Sequence, residues 1–204
     1  MEAVLDEYAR PYNADEPSIC FDERPCQLLA DQYAPQLARP GQPARYDYEY
    51  VRQGTANVLM MFQPLTGWRE AKVTIQRTHR EFAECLRDLA DIHFPTARVI
   101  HLVCDNLNTH SFAALYQTFS PAEAFRLMHR FQFHYTPKHA SWLNMVEIEL
   151  GVLVRQCLNR RLPDLETLTA QVRAWQDRRN AAHATVKWCF TVEAARLKLG
   201  SLYS

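Results

Sequence analysis

Two aspartates stand where short apolar segments stop. Asp22 follows Ser18-Ile19-Cys20-Phe21, and Asp105 follows Val99-Ile100-His101-Leu102-Val103-Cys104. In open α/β sheets, sites form in the crevice outside the carboxyl ends of the strands. Two carboxylates held side by side repel unless a cation neutralises them. All-oxygen donors favour Mg²⁺ or Mn²⁺ over softer metals. Two such ions about 3.5–4 Å apart can activate a nucleophilic oxygen and stabilise the leaving oxygen of a phosphodiester. The competing reading is local, because Asp often follows a strand to start a turn or cap a helix.

A third acid would complete such a site. Val146-Glu147-Ile148-Glu149-Leu150 sets two glutamates in an otherwise apolar stretch from Leu143 to Leu153. At helical spacing Glu147 shares a face with Gly151 and Val154, and Glu149 with Val152 and Leu153. Periodicity does not choose between them.

The elements that must position these acids can be read along the chain. Residues 1–17 are polar and mixed, a short helix or arm. Residues 18–22 read as a short strand ending in its acid. Pro25, Pro35, Pro40 and Pro43 make residues 24–44 an irregular connection. Residues 55–63 and 68–75 read as a hairpin turning through Pro64-Leu65-Thr66-Gly67. Tyr46, Tyr48 and Tyr50 alternate with other residues and suggest a further short strand.

Thr78 and Glu81 form a capping box, followed at helical spacing by Phe82, Leu86, Leu89 and His93, with Pro95 as the stop. Residues 98–104 are largely apolar, as a buried parallel strand should be. Ser120-Pro121-Ala122-Glu123 opens another helix. Residues 131–135 alternate like a strand. Ser141 is expected to cap a helix reaching about Asn159, Asp164 one carrying Leu165, Leu168, Val172 and Trp175, and Thr191 a last one to about Leu199. The order predicts a mixed α/β domain, a sheet covered by helices.

Composition bounds the function. The 204 residues, 48% hydrophobic and 23% charged, suit a single globular domain. Net charge is zero, yet residues 1–50 carry ten acids against four bases, and residues 155–198 nine bases against four acids. A neutral chain can still present one basic face. The six cysteines show no zinc-ligand spacing, and Cys20, Cys85 and Cys104 lie in apolar runs as reduced core thiols. The chain shows neither a signal segment nor a run of about 20 apolar residues, so a cytoplasmic protein without a membrane partner is expected.

Three strings carry a family resemblance: Phe21-Asp22-Glu23, Cys104-Asp105-Asn106-Leu107-Asn108-Thr109-His110, and Tyr135-Thr136-Pro137-Lys138-His139-Ala140-Ser141-Trp142-Leu143-Asn144-Met145-Val146-Glu147. Together they resemble the bacterial insertion-sequence transposases of family six-thirty, within the mariner-like superfamily of DDE recombinases. The match continues through Arg155-Gln156-Cys157-Leu158 to the tail at 191–199, and the glutamate falls 42 positions after Asp105.

The resemblance implies a ribonuclease-H-like mixed sheet flanked by helices. It implies an N-terminal arm at 1–17, a catalytic core at 18–160 and C-terminal helices at 161–204. Asp22, Asp105 and Glu147 become the catalytic, metal-binding triad, with two Mg²⁺ as cofactors and Mn²⁺ as substitute; Glu149 becomes a bystander. Double-stranded DNA, both transposon ends and target, becomes the partner, held by a homodimer in a synaptic complex.

Asn106 and His110 either shape the loop beside Asp105 or touch DNA. Lys138, His139, Arg155, Arg160 and Arg161 are candidate phosphate contacts, and Trp142 is expected in the core. Family members usually carry helix-turn-helix modules before the first aspartate, whereas 21 residues precede Asp22. That motivates an alternative, a catalytically silent truncated transposase acting as a dimerising inhibitor or remnant. A nuclease of the same fold without strand transfer is the third possibility.

Overall fold

The structure is a computed structural model describing residues 1–34, 36–45, 47–138 and 140–199. Strands β1 (Ser18–Asp31), β2 (Tyr50–Gln63), β3 (Trp68–Thr74), β4 (Ile100–Cys104) and β5 (Phe131–Tyr135) form one sheet in the order β3-β2-β1-β4-β5. The first three strands meander antiparallel; β4 then joins β1 in parallel, and β5 joins β4 in parallel. Parallel neighbours need crossovers. These are helix α2 (His79–Asp88) before β4, and α3 (Ala113–Thr118) with α4 (Pro121–Met128) before β5. The arrangement is the mixed sheet flanked by helices that the element order predicts, in the ribonuclease-H-like form that the resemblance implies.

Strand alternation divides the core in two. Ile19, Phe21, Leu102 and Cys104 face α2–α4, where Phe82, Leu86, Leu89, Leu115 and Leu127 are buried. Cys20, Met60 and Val103 face the other way, against Val146, Leu150 and Leu153 of α5 (Val146–Leu153) and Leu168, Val172 and Trp175 of α6 (Leu165–Ala181). Helices α1 (Glu2–Ala9) and α7 (Val192–Lys198) meet at one end through Leu5 and Ala195.

Local signals explain most helix starts. Thr78 and Glu81 form the reciprocal capping box of α2. Ser120, Asp164 and Thr191 each accept the N–H three residues on, opening α4, α6 and α7. Gly67 turns the β2–β3 hairpin at φ +73°, where a Cβ would also come within 2.7 Å of the His183 backbone. This one position therefore needs glycine for both conformation and space.

Several expectations need correction. β1 does not stop at Asp22 but runs to Asp31, passing Pro25. Beyond Cys20 it has no β4 residue beside it and is an edge on that side, where a proline costs no ladder bond. The tyrosine alternation makes no separate strand among the described residues: Tyr50 begins β2, Tyr48 is exposed and Tyr46 lies outside the described residues. Ser141 caps nothing; Ser141–Leu143 is a single 3-10 turn, and α5 starts at Val146. α5 then widens into a π turn at Val154–Leu158.

Candidate active site

Asp22 lies inside β1, two residues after Cys20 and so on the same face, toward α5. Asp105 is the first residue beyond β4 and continues the parity of Val103 toward that face. Glu147 sits in the first turn of α5, whose Val146 and Leu150 are buried against the same face. Burial first, then the charges of Glu147, Glu23 and Asp105, push the Asp22 carboxyl up to about 7, against an opposing hydrogen bond from the Glu23 N–H. Each of the other two acids is thus close enough to make ionising Asp22 costly. Among the described residues no lysine or arginine pairs with Asp22, Asp105 or Glu147, whose only ion-pair partner is His110, on Asp105. Three hard oxygen donors with so little cationic compensation fit a divalent ion.

Asn144 holds the third acid in register. It is 1% exposed, and its Nδ2 donates to the Phe21 carbonyl, 2.8 Å away, directly before Asp22. Its own carbonyl accepts the Glu147 N–H at 3.0 Å. Tyr8 on α1 braces the same turn, donating to the Leu143 carbonyl at 2.8 Å and accepting the Met145 N–H at 3.3 Å.

Glu149, two residues on, points elsewhere. It is fully buried; Arg179 donates Nε and Nη2 to its two oxygens at 2.6 and 2.8 Å, and the fully buried Arg69 brings Nε within 3.0 Å of Oε1. Both glutamates of the apolar stretch are thereby placed, one at the acidic cluster and one as a core counter-ion.

His110 is not placed to contact DNA. It is 3% exposed, packed between the rings of Phe21 and Phe82 at 5.2 and 4.7 Å. Its Nδ1 lies 2.5 Å from Asp105 Oδ1, and its Nε2 lies 3.2 Å from Glu23 Oε2, close but not aligned as a hydrogen bond. Burial alone would lower its pKa, but Asp105 and Glu23 outweigh this and push it up to about 9. The ring is thus flanked by two carboxylates. Glu23 is the residue that sequence reasoning missed. Its alternation with Asp22 was the available signal, since the next strand residue must face the α2 side.

A cleft of about 480 Å³ opens beside Asp105, lined by Asn106, Leu107, Thr136, Pro137, Lys138 and Ser141. Asn106 and Lys138 are exposed at it, and buried Thr136 Oγ1 has no hydrogen-bond partner. His139 lies outside the described residues. Arg155 is exposed and folds back over Gly151, where a Cβ would come 3.3 Å from its Nη1, one helical turn beyond Glu147. Arg160 is exposed but tied to the Cys157 carbonyl and to Gln171. Arg161 is spent on Asp31 and the Asp47 carbonyl. Trp142, expected in the core, is 47% exposed, its ring edge against Phe190.

Residues 17–169 match the family described as DDE superfamily endonuclease, and the chain belongs to that family. No curated protein matches. Among solved structures, the mariner Mos1 paired-end complex with Mg aligns at 16% identity and a TM-score of 0.49, covering 89% of this chain and 52% of that one. The Mos1 strand transfer complex aligns at 13% identity and a TM-score of 0.35, covering 92% and 60%. The chain thus spans about half to three-fifths of the mariner chains it resembles. Among the described residues no helix is long and apolar enough to cross a membrane.

Proposed function

We propose that this chain is the catalytic domain of a transposase of the bacterial insertion-sequence, mariner-like kind. In this reading it cleaves a DNA phosphodiester and then joins the freed 3′-hydroxyl to target DNA. What supports the reading is that Asp22, Asp105 and Glu147 stand on the α5 side of the sheet with no lysine or arginine paired to them among the described residues. Membership of an endonuclease family supports the same chemistry.

Asp22, Asp105 and Glu147 would hold two Mg²⁺, with Mn²⁺ able to substitute. When bound, such ions supply Lewis-acid activation of the attacking oxygen and charge stabilisation of the leaving one. The chain's own part is positioning. Asn144 couples the helix bearing Glu147 to the strand bearing Asp22, and His110 sets the rotamer of Asp105 from below. Lys138 and Asn106 at the cleft, and Arg155 beyond Glu147, would meet phosphates. Residues 18–160 would form the catalytic unit, working in the cytoplasm as a homodimer that brings two double-stranded transposon ends to one target.

The test is cleavage of supercoiled plasmid carrying cognate ends, in Mn²⁺, by wild type and Asp105→Ala. Nicked and joined products from wild type, absent with the variant, are expected. Nicks without joined molecules would leave a plain nuclease. Nicking undiminished in Asp105→Ala would overturn the site.

A further inference from the structure

A second cluster of ligating side chains lies away from the three acids. Glu7 of α1, His101 of β4 and His134 of β5 present one atom each within 4.8 Å of one another. His101 precedes Asp105 by four residues, so the cluster sits roughly 13 Å down the strand from the acidic mouth. His101 Nδ1 is 2.9 Å from His134 Nε2, His101 Nδ1 is 3.3 Å from Glu7 Oε2, and His134 Nε2 is 3.5 Å from that same oxygen. A tetrahedral ion with bonds of about 2.0–2.1 Å holds its donors about 3.3–3.4 Å apart. The two separations to Glu7 match that edge, and the histidine pair, at 2.9 Å, has to open slightly to reach it.

We propose that Glu7, His101 and His134 form a binding site for a single Zn²⁺-class transition-metal ion that pins helix α1 to the sheet. Two imidazole nitrogens and one carboxylate suit zinc and its neighbours, not Mg²⁺. Nothing in the acidic triad is shared with this site.

The surroundings prepare it. All three side chains are held in the interior, with Glu7 and His101 buried and His134 half-buried, so their donor atoms meet away from bulk water. Ser18 Oγ donates to the other carboxylate oxygen, Glu7 Oε1, while Arg10 Nη1 bridges Oε1 at 3.2 Å and Oε2 at 3.0 Å and must withdraw from Oε2 for an ion to bind there. Such outer contacts are the normal support of a metal ligand.

One competitor is present. Arg10 Nη1 lies 2.7 Å from His101 Nε2, and a guanidinium only donates, so Nδ1 carries the ring proton in the metal-free form. Coordination through Nδ1 moves that proton to Nε2, and Arg10 then leaves the ring for Glu16, which its Nη2 already contacts at 2.6 Å. The consequence reaches the catalytic face, because Tyr8, next to Glu7, braces the turn before Glu147.

The test uses the purified, chelator-stripped 204-residue chain with Zn²⁺ or Co²⁺ alone. At a hundredfold excess over Kd, a melting rise of about 5–10 °C is expected. With Co²⁺, the visible absorption of a tetrahedral site should appear at one equivalent. Both signals should persist in Asp105→Asn and vanish in His134→Gln. Glu7→Gln, which keeps the shape and the Ser18 contact, serves if His134→Gln does not fold. Loss of the signals in Asp105→Asn with retention in His134→Gln would overturn the proposal. So would the absence of any rise or absorption at 100 μM metal.

Discussion

The contrast between Glu147 and Glu149 gives a sharp test. Glu149→Gln removes the one carboxylate that pairs with Arg69 among the described residues, a guanidinium with no exposed surface whose pKa burial has already drawn down to about 10. Removing one partner of a buried pair costs about 3–5 kcal/mol, because the remaining charge is left uncompensated. Arg179 loses its two-pronged contact as well. For a chain of this size each kcal/mol moves Tm by roughly 2–4 °C, so a fall of at least about 6 °C is expected. Glu147→Gln breaks no ion pair and relieves repulsion on Asp22, so its Tm in chelator should match or exceed wild type. Calorimetry of both variants, without metal and then with millimolar Mn²⁺, separates the roles. Glu147→Gln should lose the Mn²⁺-dependent rise while Glu149→Gln, though weaker, keeps it. Equal destabilisation by the two substitutions, or a Mn²⁺ response indifferent to Glu147, would refute the assignment of the two glutamates.

Two further outcomes follow from the same geometry. The folded pKa of His110 is raised to about 9, so its stabilising contribution is complete below its unfolded value near 6.5 and is lost as pH rises through about 9. Urea midpoints in chelator should therefore fall between pH 6.5 and 9 in wild type, and His110→Asn should flatten that slope. Asn144→Ala leaves the buried Phe21 carbonyl without its donor and should cost about 1–3 kcal/mol by urea unfolding, with a larger proportional loss of plasmid nicking than of stability.

Much of the architecture was legible without coordinates. Thr78, Ser120, Asp164 and Thr191 announced their helices, because a cap is a local bargain between one side chain and the N–H groups that follow it. The apolar run into Asp105 and the turn at Gly67 were equally local. Candidate acids could be named because an acid closing an apolar run and an anomalous charge in an apolar helix are visible in one dimension, and family resemblance singled out Glu147. Tertiary structure alone decided what depends on residues far apart. Pro25 looked like a breaker until the β4 pairing was seen to stop at Cys20, leaving Pro25 on a free edge. His110 could have shaped the loop beside Asp105 or touched DNA until Glu23 and Phe82 were seen to close around it. Glu149 found its role in Arg69 and Arg179, 80 and 30 positions away. The grouping of Glu7, His101 and His134 has no spacing signature, because three separate elements deliver its atoms. The sequence determines which side chains can hold charge or metal; which of them meet is set by strand order and by the face each residue takes in the sheet.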